Sequence, residues 1–97
     1  DEDLLYSLLN IFNATTPDLI KGMHQALDRQ NRPELQRLAH QMKGALSAVH
    51  ATYEGKQAEQ LERMAVSATF SHLHSTVIEL EEKVGQLNST FQRLVHF

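Results

Sequence analysis

Leu35-Gln36-Arg37-Leu38-Ala39-His40-Gln41-Met42-Lys43-Gly44-Ala45-Leu46-Ser47-Ala48-Val49 is the stretch that decides the fold. Leu35, Leu38, Ala39, Met42, Leu46 and Val49 recur at steps of three and four, the period of a helix with one buried face. Asn31-Arg32-Pro33-Glu34 just before it is a start signal. Asn31 can cap, with Glu34 three residues on as a variant of the capping box, and Pro33 falls in the first turn, where a missing N–H costs nothing. At about 100° per residue, His40 lies roughly 150° from the centre of the apolar stripe, and Gly44 follows one turn later on the same outward face. Arg37, Lys43 and Ser47 flank the pair.

The same period extends in both directions. Leu4, Leu5, Leu8, Leu9 and Phe12 predict a first helix over about 3–13 with these residues inward. Thr16-Pro17-Asp18 then predicts a fresh start, with Thr16 as cap, Pro17 in the first turn and Asp18 at the positive helix end. Leu19, Ile20, Met23 and Leu27 form the inner face of that second helix, which ends near Gln30. Beyond the His40 helix, a fourth is expected over about 54–68, with Ala58, Leu61, Ala65 and Ala68 inward, then a break at 69–71. In the last helix Leu73, Val77, Leu80, Val84, Leu87, Phe91 and Leu94 repeat as a heptad seam. One seam suits a coiled-coil dimer; four further amphipathic helices in the same chain favour an intramolecular bundle, so the fold class is all-α.

The 97 residues make one domain's worth, expected over 1–97, and 41% of them are hydrophobic, enough for a modest core. Cysteine is absent, which removes disulfides and thiolate chemistry and fits a cytoplasmic setting. A formal charge of −3 with scattered Lys and Arg argues against a nucleic-acid surface. No apolar run approaches the roughly 18 residues of a membrane helix, and no secretory pattern is present. A start at Asp1 rather than Met is what a piece of a longer protein would show.

Gly44 calls for a reason, because glycine within a helix costs about 1 kcal/mol relative to alanine. A missing side chain one turn after His40 clears space beside the imidazole, and Lys43 can reach toward a phosphoryl group on the ring and offset its charge. A lone surface histidine is ordinarily only solvated, and a mid-helix glycine is ordinarily a packing contact. His-x-x-Lys-Gly on one face, after Leu-Ala, is far more specific than its parts.

Ala39-His40-Gln41-Met42-Lys43-Gly44-Ala45 resembles the phosphoacceptor motif of histidine phosphotransfer (HPt) domains, A-H-x-L-K-G-S/A. The likeness takes in nearly the whole chain, including the lead-in helix, the Thr-Pro-Asp start and Leu61-Glu62 downstream. It implies an antiparallel four-helix bundle with an additional N-terminal helix. It also implies reversible transfer of a phosphoryl group to His40 from a receiver-domain aspartate. By motif, His40 is then the phosphoacceptor, Lys43 the charge partner and Gly44 the clearance residue. Glu62, 22 residues after His40, stands where the family places a Gln or Glu that hydrogen-bonds the ring. From the edge of its helix's apolar stripe Glu62 can reach the His40 helix. If it accepts from Nδ1–H, it fixes the tautomer and frees Nε2; otherwise it is an ordinary surface carboxylate. Where many members have Gly-Ala, ten and eleven residues after the histidine, this chain has His50-Ala51, so the following loop is expected to differ.

The resemblance further implies a phosphocarrier rather than an enzyme, with no cofactor of its own and Mg²⁺ in the partner receiver. Expected partners are receiver domains of a hybrid kinase or a response regulator, docking over Gln36, Arg37, Gln41, Gly44 and Ser47. It implies a monomer in the cytoplasm, free or within an inner-membrane-anchored sensor kinase, without nucleic-acid or direct membrane contact. The competing expectation is a helical interaction or dimerisation module, resting on Leu80, Val84 and Leu87. Other candidates are weaker. His72-x-His74 points two imidazoles to different sides of a helix, whereas a metal pair uses i, i+4. His24, His50 and His96 show no partner pattern, and Glu81-Glu82-Lys83 reads as a solvated face.

Overall fold

The computed structural model describes residues 2–95, so His96 lies outside the described residues. Among the described residues four helices follow one another: α1 (Glu2–Asp28), α2 (Arg32–Ala48), α3 (Thr52–Met64) and α4 (Phe70–Val95). Connections this short make successive helices antiparallel. The cross-helix pairs agree. Asn13 meets Asn88 and His24 meets Glu81 between α1 and α4, while His40 meets Glu62 and Lys43 meets Glu59 between α2 and α3. Each helix packs on the next and α4 closes back on α1, while the backbones of the diagonal pairs, α1 with α3 and α2 with α4, stay apart. The all-α bundle stands as expected.

The break expected after Asn13 does not occur. The additional N-terminal helix is present as the first half of α1 and runs without interruption through Pro17. Thr16 is no cap. It is fully buried, and its Oγ1 donates to the Phe12 carbonyl at 2.8 Å. Asn88 Nδ2 donates to both Thr16 Oγ1 (3.0 Å) and Asn13 Oδ1 (2.8 Å), and Asn13 Nδ2 returns a bond to the Asn88 carbonyl at 3.0 Å. A proline inside a helix costs about 3 kcal/mol. This node, with Leu19 and Ile20 buried just beyond, offsets that cost and carries the helix through.

Helix starts and ends follow from local chemistry. Asn31 Oδ1 accepts from the Glu34 N–H at 3.1 Å, half of a capping box; the Glu34 carboxylate turns to Arg37 instead. α1 and α2 both end in Schellman motifs without glycine. At the first, Asn31 N–H reaches the Ala26 carbonyl and Gln30 N–H the Leu27 carbonyl, with Gln30 at φ 52°. At the second, Ala51 N–H reaches Leu46 and His50 N–H reaches Ser47, with His50 at φ 59°. A histidine thus takes the left-handed position where many HPt domains have glycine. α3 ends at Met64, earlier than the expected Ala68, and Arg32 Nη1 donates to the Ala65 (3.2 Å) and Ala68 (2.7 Å) carbonyls just past that end. The Arg32 guanidinium also lies 4.2 Å from the Phe70 ring centre, tying the start of α2 to the α3–α4 turn.

Met23, Leu35, Met42, Leu46, Leu61, Leu73, Leu80 and Val84 fill the interior. The heptad seam of α4 therefore faces this bundle's own core: Leu73, Val77, Leu80 and Val84 are buried, Leu87 and Phe91 are partly so, and Leu94 is exposed. Phe91 meets Phe12 edge-to-face at 5.3 Å. Leu4 and Leu5 depart from the expected inward face, at 62% and 51% exposed. α1 and α4 are much longer than α2 and α3, so the first turns of α1 run past the ends of α2 and α3, which would otherwise cover them. No described helix is long and apolar enough to cross a membrane.

Candidate functional site

His40 stands in the middle of α2, one residue after buried Ala39 and two before buried Met42, so the core fixes the rod that carries it. Its side chain is 68% exposed. Nδ1 lies 2.9 Å from Glu62 Oε2 on α3. A carboxylate oxygen can only accept, so this bond places the ring proton on Nδ1 and leaves the Nε2 lone pair free. Glu62 is 24% exposed and follows fully buried Leu61, which seats α3 and sets the carboxylate's reach.

Gly44 is exposed, and a Cβ built there would meet nothing within 4 Å. Packing inside this chain therefore does not require glycine. Gly22 differs: its Cβ would come within 3.0 Å of Leu38 Cδ1, so there glycine serves the α1–α2 contact. Lys43 Nζ pairs with Glu59 Oε2 at 3.6 Å, and Glu59 Oε1 accepts from Arg63 Nη1 at 3.0 Å. Arg37 forks onto the Glu34 carboxylate one turn earlier on the same helix. That hydrogen bond holds Glu34 below the usual carboxylate range and pushes Arg37 up. Gln36, Gln41 and Ser47 are exposed on α2.

Beside this face lies an apolar shelf. Leu4, Leu5, Leu8 and Leu9 of α1 border a groove with Ala48, Val49 and His50. A second hollow joins Leu8, Ile11, Phe12 and Thr15 to Ala45, Ala48 and Val49. Ile11 is among the most exposed large apolar residues of the chain. A polar hollow opens on the α3 side between Lys43, Ser47, His50, Thr52, Lys56 and Glu59.

The model of the Hpt domain family matches residues 7–95. The chain belongs to the Hpt domain family. No curated protein and no solved structure is matched. Hpt domains carry out histidine phosphotransfer in phosphorelays, act as phosphocarriers rather than catalysts, and interact with receiver domains and response regulators.

In this Hpt domain the fold brings His40, Lys43, Gly44 and Glu62 to one edge of the α2–α3 pair, with Arg37 turned to Glu34. Sequence reasoning missed Glu59 and Arg63, whose spacing of four on α3 was the available signal. It also missed the partner of His24: Nε2 lies 2.9 Å from Glu81 Oε1, so Glu81 is more than part of a solvated face. The His74 ring stands 6.3 Å from that of His24.

Proposed function

We propose that His40 accepts a phosphoryl group on Nε2 from an aspartyl phosphate of a receiver domain and returns it to the aspartate of a receiver or response regulator. The observation that carries this is the 2.9 Å bond from Nδ1 to Glu62 on a ring left open to solvent. In the forward step the Nε2 lone pair attacks phosphorus. The N–P bond forms as the P–O bond to the donor aspartate breaks, and that carboxylate leaves with the bonding pair. The Nδ1 proton stays toward Glu62, whose negative charge steadies the positive charge that develops on the ring. Such transfer passes through a loose, in-line transition state, so positioning and charge neutralisation do most of the work. The receiver supplies its own Mg²⁺, and this chain supplies a nucleophile, the Lys43 ammonium and a docking face.

That face comprises Gln36, Gln41, Gly44 and Ser47, with Arg37 at its edge. The apolar shelf of exposed Leu4 and Ile11 with half-buried Leu8 adjoins it, which suits a partner contributing small apolar side chains around its acidic pocket. The scaffold alternative is not favoured, because Leu80 and Val84 are spent inside this bundle.

The test is incubation with a phosphorylated receiver. Acid-labile, alkali-stable label on the domain is expected, absent in His40→Gln. Label that persists in that variant overturns the assignment to His40.

A further inference from the structure

The geometry points to Glu59 as a positioning residue that competes with the phosphoryl group for Lys43 and so sets how far the transfer runs toward the phosphorylated domain. This deepens the function proposed above and rests on it.

α3 offers α2 two carboxylates three residues apart. Glu62 takes the ring of His40, and Glu59 takes the ammonium of Lys43. The two contacts differ in kind. The first is a hydrogen bond of ordinary length, whereas Lys43 and Glu59 stand 3.6 Å apart, an ion pair too long to be a good hydrogen bond. Lys43 is 38% exposed on a flexible stem, so it can exchange one anion for another. A phosphoryl group carries about −1.5 to −2 charges and three acceptor oxygens. Placed on Nε2, three residues before Lys43, it becomes the stronger claimant. As the N–P bond forms and the donor's P–O bond breaks, the ammonium swings from Glu59 to the phosphoryl oxygens and keeps its protons. Arg63, on the other carboxylate oxygen, stays behind to neutralise Glu59. Glu59 thus holds Lys43 back, and Arg63 weakens that hold.

The two residues therefore act with opposite sign. Exposed pairs couple by about 0.2–1 kcal/mol, so Glu59→Gln should raise the phosphorylated fraction at equilibrium with a receiver by about 1.5- to 5-fold. Arg63→Gln should lower it by a similar factor. Both sites are only partly covered, and unfolding curves would confirm that each variant folds. The readouts are the transfer equilibrium constant, the phosphohistidine lifetime and the Lys43 Nζ signal by NMR. The Lys43 signal should move on Glu59→Gln before any phosphorylation, and in a Lys43→Gln background Glu59→Gln should change nothing. An unchanged equilibrium in folded Glu59→Gln, or the same change with Lys43 removed, overturns the role of Glu59. A wild-type domain that takes no label overturns the proposed function itself, which keeps the two failures distinct.

Discussion

Replacing Gly44 with alanine should stabilise the fold and slow phosphoryl transfer at the same time. A Cβ at this position meets nothing within 4 Å, so the substitution carries no steric cost in the free domain. The helix then gains the propensity difference between the two residues, about 0.8–1.0 kcal/mol. For a domain of this size that corresponds to a rise of roughly 4–8 °C in Tm. Transfer should respond in the opposite direction, because in the proposed docking the new methyl projects into the space the receiver takes beside His40. A misplacement of about 1 Å can cost on the order of 100-fold, so Gly44→Ala should slow transfer about tenfold and Gly44→Leu about a hundredfold. Gly85 supplies the control. It is also an exposed helical glycine with open space around its Cβ, but it lies on α4, whose backbone does not approach that of α2. Gly85→Ala should raise Tm similarly and leave transfer unchanged. Thermal unfolding and single-turnover transfer from a phosphorylated receiver measure the two effects. A folded Gly44→Leu domain that transfers at the wild-type rate would refute the clearance role, and a destabilised Gly44→Ala would refute the open placement of the site.

Other substitutions probe the frame and the shelf. Gln30→Gly and His50→Gly each relieve a left-handed residue at a helix end and should stabilise by about 1 kcal/mol in denaturant unfolding. A loss of stability would contradict those turns. Arg32→Ala leaves two carbonyls at the end of α3 without their donor and should cost about 1–3 kcal/mol, visible as a lower denaturation midpoint with unchanged slope. Ile11→Asp, on an exposed apolar position, should change stability by no more than about 0.5 kcal/mol. Titration calorimetry with a receiver should nonetheless show weaker binding, and equal affinity would remove the shelf from the docking face.

Sequence reasoning succeeded where one helix decides the outcome. The exposure of His40 followed from the angular arithmetic of α2, because that helix is regular and its buried face unambiguous. The contact between Glu62 and His40 lay in the motif spacing, though only antiparallel packing of α2 and α3 brings the two together. Where distant partners decide, local signals misled. Thr16-Pro17-Asp18 has the chemistry of a helix start, but the hydroxyl of Thr16 is taken up by the Phe12 carbonyl and by Asn88, 72 residues away. Leu4 and Leu5 have the right period for burial, yet the lengths of α2 and α3 leave nothing to cover them. The spacing of Glu59 to Arg63 marked a pair on one helix face, but its tie to Lys43 comes from the register of α3 against α2, which no local pattern shows. His24 and Glu81 escaped for the same reason across α1 and α4.

The most direct measurement is the NMR spectrum of the phosphorylated, ¹⁵N-histidine-labelled domain. One-bond coupling between phosphorus and Nε2 of His40 is the predicted result, with the Nδ1 side of the ring still turned to Glu62. Phosphorus bonded to Nδ1 of His40, or to the imidazole of His24, His50, His72 or His74, would contradict it.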